Sequence, residues 1–519
     1  MSALRMTSQG LSIRGQALFL QAGTFHYFRL PHPDLWMPTL TRMRLSGLNA
    51  VIVPFPWAYH SSGPGFYDFT GPRDVKRLLE AIERAGLWCI PHVGPWVGAG
   101  LDAGGLPAWL FRTRGIVPDC EEAADASLSY AFRRHLSTWW SHLLGTLRGH
   151  DTILFAMMDA GRCSGGRTLT AHLPELIDLL DTHAPDVPCA IPRSPHGLEL
   201  TPASLSFIQL DAVDLPTTKE PDADALVWLS VGIPAVDGGG RFAGPPLHDT
   251  YPRQEVATLV GQGCRAYAMT PTHGGVVWGW WDVPPRCTAP DRGASLPEGW
   301  TPSARSLSVR RLHLTMETLA GNLAGGRREP NAYATPPEAL RAARSGATGT
   351  VAIVSAVDRR PGYVRVSLGT PDRMLMTENT LLNRHNVRLL PLNWAVAGGR
   401  LLTTTMEPVL DTSVAGRRLL ILLNEDGGSL RLSSDFRVRH RRGPIETERV
   451  DRDLIVRMEP TRLSSLLLTG PEGPLQLLAL DANLANRVWP LDDRWRTTPC
   501  RTAAWNPEPE EPARGVVIG

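Results

Sequence analysis

The stretch ILFAMMDAGRC, residues 153–163, starts as an unbroken apolar run, meets one Asp and ends in small residues. An apolar run without alternation is what a strand buried on both faces looks like, and such strands belong to parallel sheets covered by helices. Its surroundings agree. Upstream lies LSYAFRRHLSTWWSHLLGTLRG (128–149), with apolar residues at helical spacing. Before that come the strand-like WCIPHVGPW (88–96), the helical DVKRLLEAIERAGL (74–87) with Gly86 placed to stop it, and the strand-like NAVIVPFPW (49–57). DLWMPTLTRMRLSGL (34–48) reads as a helix and QALFLQAGTFHYFRL (16–30) as the strand before it. This rhythm predicts an α/β fold with a parallel sheet. The length and number of units favour a (β/α)8 TIM barrel over a doubly wound sheet, which directs attention to the C-terminal ends of the strands.

The barrel is expected over residues 1–325. The Gly/Pro/Arg-rich stretch 326–345 reads as a linker, and 346–505 as a smaller all-β domain, from short β-type runs such as TVAIVSAV, RRLLILLNE and SSLLLTG. Residues 506–519, rich in Pro and Glu, read as a flexible tail.

Composition narrows the classes of function. The formal net charge of +2 gives no field for nucleic acid, and none is expected as a partner. RVRHRR (437–442) reads as a solvated strand or loop. The Cys count is odd, at 7, and the residues are scattered, so neither a disulfide framework nor a zinc site follows. The start MSALRMTSQG lacks an apolar signal core, and no apolar run reaches about 18 residues. The expectation is a cytoplasmic protein with no membrane partner, no cofactor and no metal.

Several motifs, in order, resemble glycoside hydrolase family 35, the β-galactosidases. GTFHYFRLP is similar to S-G-x-I-H-Y-F-R-x-P. MRLSGLNAVIVPFPWAYH is similar to K-x-x-G-L-N-T-V-x-x-Y-V-P-W-x-x-H, and HVGPWVGAGLDAGGLPAWL to R-P-G-P-Y-I-C-x-E-W-x-x-G-G-L-P-A-W-L. YAMTPTHGGVVWGWW and GASLPEGWTP resemble two later motifs, and the β-rich part resembles the second domain of larger members. The resemblance implies a TIM barrel and a galactoside-cleaving ancestry.

That chemistry uses two carboxyl groups, one as acid and one as nucleophile. The resemblance puts the acid at the second Glu of E-N-E-Y-G ending strand four; laid on DAGRC, that position is Gly161. It puts the nucleophile at the end of strand six, and the nearest match is Ser230 in ALVWLSVGIPAV. Pro54, Ser61, Gly98, Gly100 and Ala160 stand where the family has groups that hold the sugar. The expectation is therefore a barrel that does not cleave by the family mechanism and binds a saccharide or another small ligand, or serves as an interaction module. The residues expected at its mouth are His26, Tyr27, Trp57, His92, Trp96, Asp102, His273 and Trp278, with His60 close by. The rival is an active hydrolase with relocated carboxylates. Asp159 is its best acid, and Asp102, Asp214, Glu220 or Asp237 would supply the partner.

Overall fold

The computed structural model describes residues 4–7, 10–13, 16–99, 101–112, 129–159, 172–185, 187–192, 205–211, 225–230, 251–270, 272–275, 294–296, 303–383, 386–414, 416–491 and 515–518. Strands β1 (Leu4–Thr7), β2 (Gly10–Ile13) and β3 (Gln16–Leu18) make a small antiparallel sheet. Eight strands then close into a barrel: β4 (Leu20–Thr24), β5 (Ala50–Pro54), β6 (Trp88–Pro95), β7 (Ala156–Asp159), β8 (Cys189–Pro192), β9 (Leu205–Asp211), β10 (Ala225–Ser230) and β11 (Ala266–Thr270). Every pairing is parallel, and β11 closes on β4 with Ala266 opposite Leu20 and Met269 opposite Gly23.

Alternation along the strands sorts the side chains. Leu20, Ala22, Ala50, Ile52, Ile90, Met157, Ala190, Ala266 and Ala268 fill the interior, and Leu11, Ile13 and Leu18 of the small sheet pack against them. Val51, Val53, Cys89, Val93 and Met158 face the helices instead. Helices α1 (Trp36–Leu45), α2 (Trp57–His60), α3 (Val75–Arg84), α4 (Tyr130–Leu147), α5 (Leu173–His183), α6 (Tyr251–Gly261) and α7 (Ala304–Thr318) follow barrel strands in turn. The connections 193–204 and 212–224 lie outside the described residues.

Local chemistry sets the helix ends. The Asp74 carboxylate accepts from the Arg77 amide at 2.9 Å to start α3, and Gly86 (φ +67°) lies just beyond its end. Val75, Leu78, Leu79 and Ile82, spaced by three and four, are its buried stripe. Ser129 caps α4 by accepting from the Phe132 amide at 3.1 Å, and Phe132, Leu136, Trp139, Trp140, Leu143 and Leu147 are buried beneath it.

The second half is built of sheets, and they begin inside the stretch that the composition marks as a linker. Residues 326–345, expected as a linker, carry strands Arg327–Arg328, Ala332–Thr335 and Leu340–Ser345. These pair with later strands; Leu340–Ser345 lies antiparallel to Thr350–Ser355. Within the stretch read as a tail, Gly515–Ile518 pairs with Val488–Leu491. Val256, Leu259 and Leu312 of the barrel helices share one core with Val351, Ile353, Leu389, Leu420 and Leu422. The contact also holds charge. Glu407, fully buried, pairs with Arg253 of α6, and its carboxylate accepts from the Leu389 amide (2.9 Å) and the Thr315 hydroxyl of α7 (3.3 Å). Arg437–Arg442 is an exposed strand on the edge of a five-stranded sheet. No helix among the described residues is long and apolar enough to cross a membrane.

Candidate functional site

Because the strands are parallel, their C-terminal ends gather on one rim, where β4 ends at Thr24, β5 at Pro54, β6 at Pro95, β7 at Asp159, β9 at Asp211, β10 at Ser230 and β11 at Thr270. Ser230 stands on the seventh barrel strand, not the sixth as expected, opposite Asp211 on one side and Thr270 on the other. Asp159 ends the fourth strand in register with Pro95. Gly161, Gly100 and Trp278 lie outside the described residues, as do the side chains of Asp102, Asp159, Asp211 and Ser230.

On the β11–β4–β6 side of the rim, His26, His92 and His273 converge. The rings of His26 and His273 are 6.0 Å apart. The His26 backbone N–H donates to His273 Nε2 at 3.0 Å, and His273 Nδ1 lies 2.6 Å from its neighbour's carbonyl, Gly274 O. Nε2 accepts, so Nδ1 carries the proton: His273 is a neutral imidazole with both nitrogens in use. Burial drives the pKa of His92 and His273 down to about 4. His26 is held well below the usual range, first by burial and then by Arg29, His273 and His92. The Arg29 guanidinium donates to Ala99 O at 2.7 Å, tying this cluster to the loop after β6. Thr24 donates to the Thr270 hydroxyl at 3.2 Å. Together the three imidazoles give the rim a buried lining without charge. Among the described residues no group of three or more His, Cys, Asp or Glu is placed to hold a metal.

The remaining sequence candidates part from this cluster. Tyr27 is buried among Phe28, Trp36, Phe55 and Tyr59, with its hydroxyl 2.5 Å from His60 Nε2. His60 Nδ1 lies 2.8 Å from Asp68 O, so this histidine is also fully engaged, and burial lowers its pKa to about 4. Trp57 stacks on Trp139 of α4 (6.1 Å, 5°) and meets Trp109 edge-on (5.8 Å, 85°). Both Tyr27 and Trp57 are 1% exposed and belong to the aromatic core around the mouth. Trp96 lies across Gly104 so closely that a Cβ there would sit 2.1 Å from the indole, with Gly104 at φ +61°. The first glycine of GGLPAWL is thus the bed for Trp96. Asp102 begins the turn Asp102–Gly105 that presents it. Asp211 closes LSFIQLD as Asp159 closes ILFAMMD, but Ser206 and Gln209 interrupt its apolar residues, so the sequence marks this strand end less clearly.

Residues 10–152 match the family of glycosyl hydrolases family 35. That match runs from β2 to just short of β7, so positions 161 and 230 lie beyond it. The chain is similar to a probable β-galactosidase C of Talaromyces marneffei, 41% identical over 114 residues, which are 22% of this chain and 11% of the relative. It is similar to a β-galactosidase of Mus musculus, 39% identical over 120 residues, 22% of this chain and 18% of the relative. The chain thus spans 11% and 18% of the lengths of these two relatives. Among solved structures, a β-galactosidase from the psychrophilic Marinomonas ef1 is similar with a TM-score of 0.43 and 11% identity, covering 58% of this chain and 60% of that one.

Proposed function

We propose that this chain is a barrel of glycoside hydrolase ancestry that binds a saccharide at its C-terminal mouth and does not cleave galactosides by the two-glutamate mechanism. The observation that carries the reading is one of sequence: Gly161 falls at the position matched to the acid, and Ser230 is the nearest match to the nucleophile, although it ends the seventh barrel strand and not the sixth. A glycine can donate no side-chain proton, and a serine supplies no carboxylate to attack as the family's glutamate does. His26, His92 and His273 are all held neutral, which suits an uncharged ligand such as a saccharide, with His273 itself bonded at both nitrogens within the protein. The test is turnover of an aryl β-galactoside by the purified protein, with binding of methyl β-galactopyranoside followed by calorimetry. Binding without turnover is expected; turnover that survives Asp159→Asn and Asp211→Asn would refute the reading outright.

One observation favours a second reading. Asp159 and Asp211 end the fourth and sixth barrel strands on the same rim, so two carboxylates could take over as acid and nucleophile or base. In that case turnover is measurable and Asp159→Asn or Asp211→Asn alone abolishes it.

A further inference from the structure

Outside the histidine cluster, a cavity of about 840 Å³ opens between the segments 58–73 and 101–112. None of His26, His92 and His273 lines it, whereas Ser61 does. Ala99 of the loop after β6 accepts from Arg29, while Leu101, Ala103 and Gly105 line the cavity. Two aromatic rings stand in it with unusual exposure, Phe66 at 71% and Phe111 at 49%. Phe66 is presented by the tight turn Gly63-Pro64-Gly65-Phe66, in which the Phe66 amide donates to Gly63 O at 3.1 Å and Gly65 adopts φ +79°. Pro followed by a glycine at positive φ is the type II turn, so the ring is held out by stiff backbone. The wall beside it is equally fixed. Arg73 lies over the Tyr59 ring at 4.6 Å, donates to Tyr59 O at 2.5 Å and pairs with Asp68 at 3.3 Å.

Two further lining residues carry buried polar atoms with no hydrogen-bond partner, Tyr67 Oη and Trp109 Nε1. A preset cavity of this size that joins exposed aromatic faces with a few polar groups suits a ligand having apolar C–H faces and many hydroxyls. We propose that this cavity is an oligosaccharide-binding subsite, distinct from the histidine cluster, in which Phe66 and Phe111 stack on successive sugar rings. The proposal deepens the saccharide reading above and rests on it for the class of ligand.

The test uses the full chain and two probes, methyl β-galactopyranoside for the mouth and β-1,4-galactotetraose for the cavity, measured by titration calorimetry. Both phenylalanines are exposed, so Phe66→Ala and Phe111→Ala should fold as the parent does. Each is expected to weaken the tetraose about tenfold and leave the monosaccharide unchanged, with Phe66→Trp restoring affinity. If the tetraose binds both alanine variants as it binds the parent, the subsite is overturned while the mouth reading stands. If the monosaccharide fails to bind and the tetraose still depends on Phe66 and Phe111, the subsite stands and the mouth reading falls. Failure of both probes on the parent overturns both.

Discussion

Replacing Glu407 by Ala should loosen the barrel from the sheets behind it. Glu407 is fully buried, Arg253 is 4% exposed, and the two come from opposite sides of the contact. Removing the carboxylate strands a guanidinium in a dry site, which costs about 3–5 kcal/mol. It also takes the acceptor from the Leu389 amide, a buried donor worth about 1–3 kcal/mol if left unpaired. Both losses share one carboxylate, so their sum is an upper bound, and about 5 kcal/mol is the expected cost. At about 2–4 °C per kcal/mol for a unit of 150–250 residues, the midpoint should fall by roughly 10–20 °C. Scanning calorimetry reads it directly. The double replacement Arg253→Met with Glu407→Leu should recover most of the loss, because apolar groups of similar volume leave no buried charge. A single variant within about 2 °C of the parent, or a double variant as unstable as the single, would refute the reasoning.

Three further outcomes are expected. Gly104→Ala should cost about 2–4 kcal/mol, through the positive φ and the clash with Trp96, and should change the Trp fluorescence; an unperturbed midpoint would speak against the bed described for Trp96. His60, His92, His273 and His313 are buried with pKa values near 4 against a reference value of 6.5, so the unfolded chain takes up their protons first. Their contribution is full above pH 6.5 and is lost progressively towards pH 4; urea midpoints that stay flat across that window would contradict it. Gly161→Glu with Ser230→Glu should remain inactive on aryl galactosides, because Pro54, Ser61 and Ala160 still stand where sugar-holding groups are expected; clear turnover would show an intact pocket.

The strands and helices from β4 to β7 were legible because their apolar runs are long and their ends are marked, by Asp74 and Gly86 for α3 and by Ser129 for α4. The stretch 326–345 was not. Its strands, RR, AYAT and LRAARS, are two to six residues long with prolines between them, and alternation needs more residues than Ala332–Thr335 supplies. Cys189–Pro192 is another such strand, four residues ending at a proline, and it lies among those that carry Ser230 to the seventh position. At the site, His26, His92 and His273 were read from motif positions and do converge. Tyr27 and Trp57 were read the same way and are core, because sequence gives the type of an aromatic residue and not the wall it faces. The carboxylate Asp211 went unseen, since a strand end is visible only once the strand is placed.

Closure of the barrel has a consequence for what counts as a part. The residues matched to family 35 end at 152 and hold three of the eight staves, β4, β5 and β6. The first stave is sealed by β11 through Ala266–Met269, over a hundred residues past the end of that match. A fragment cut at 152 would bare two raw strand edges and the inner face of Leu20, Ile52 and Ile90, so it should aggregate rather than fold. Kinship and self-sufficiency therefore do not coincide along this chain: the segment with a traceable ancestry is held shut by one that the match does not reach.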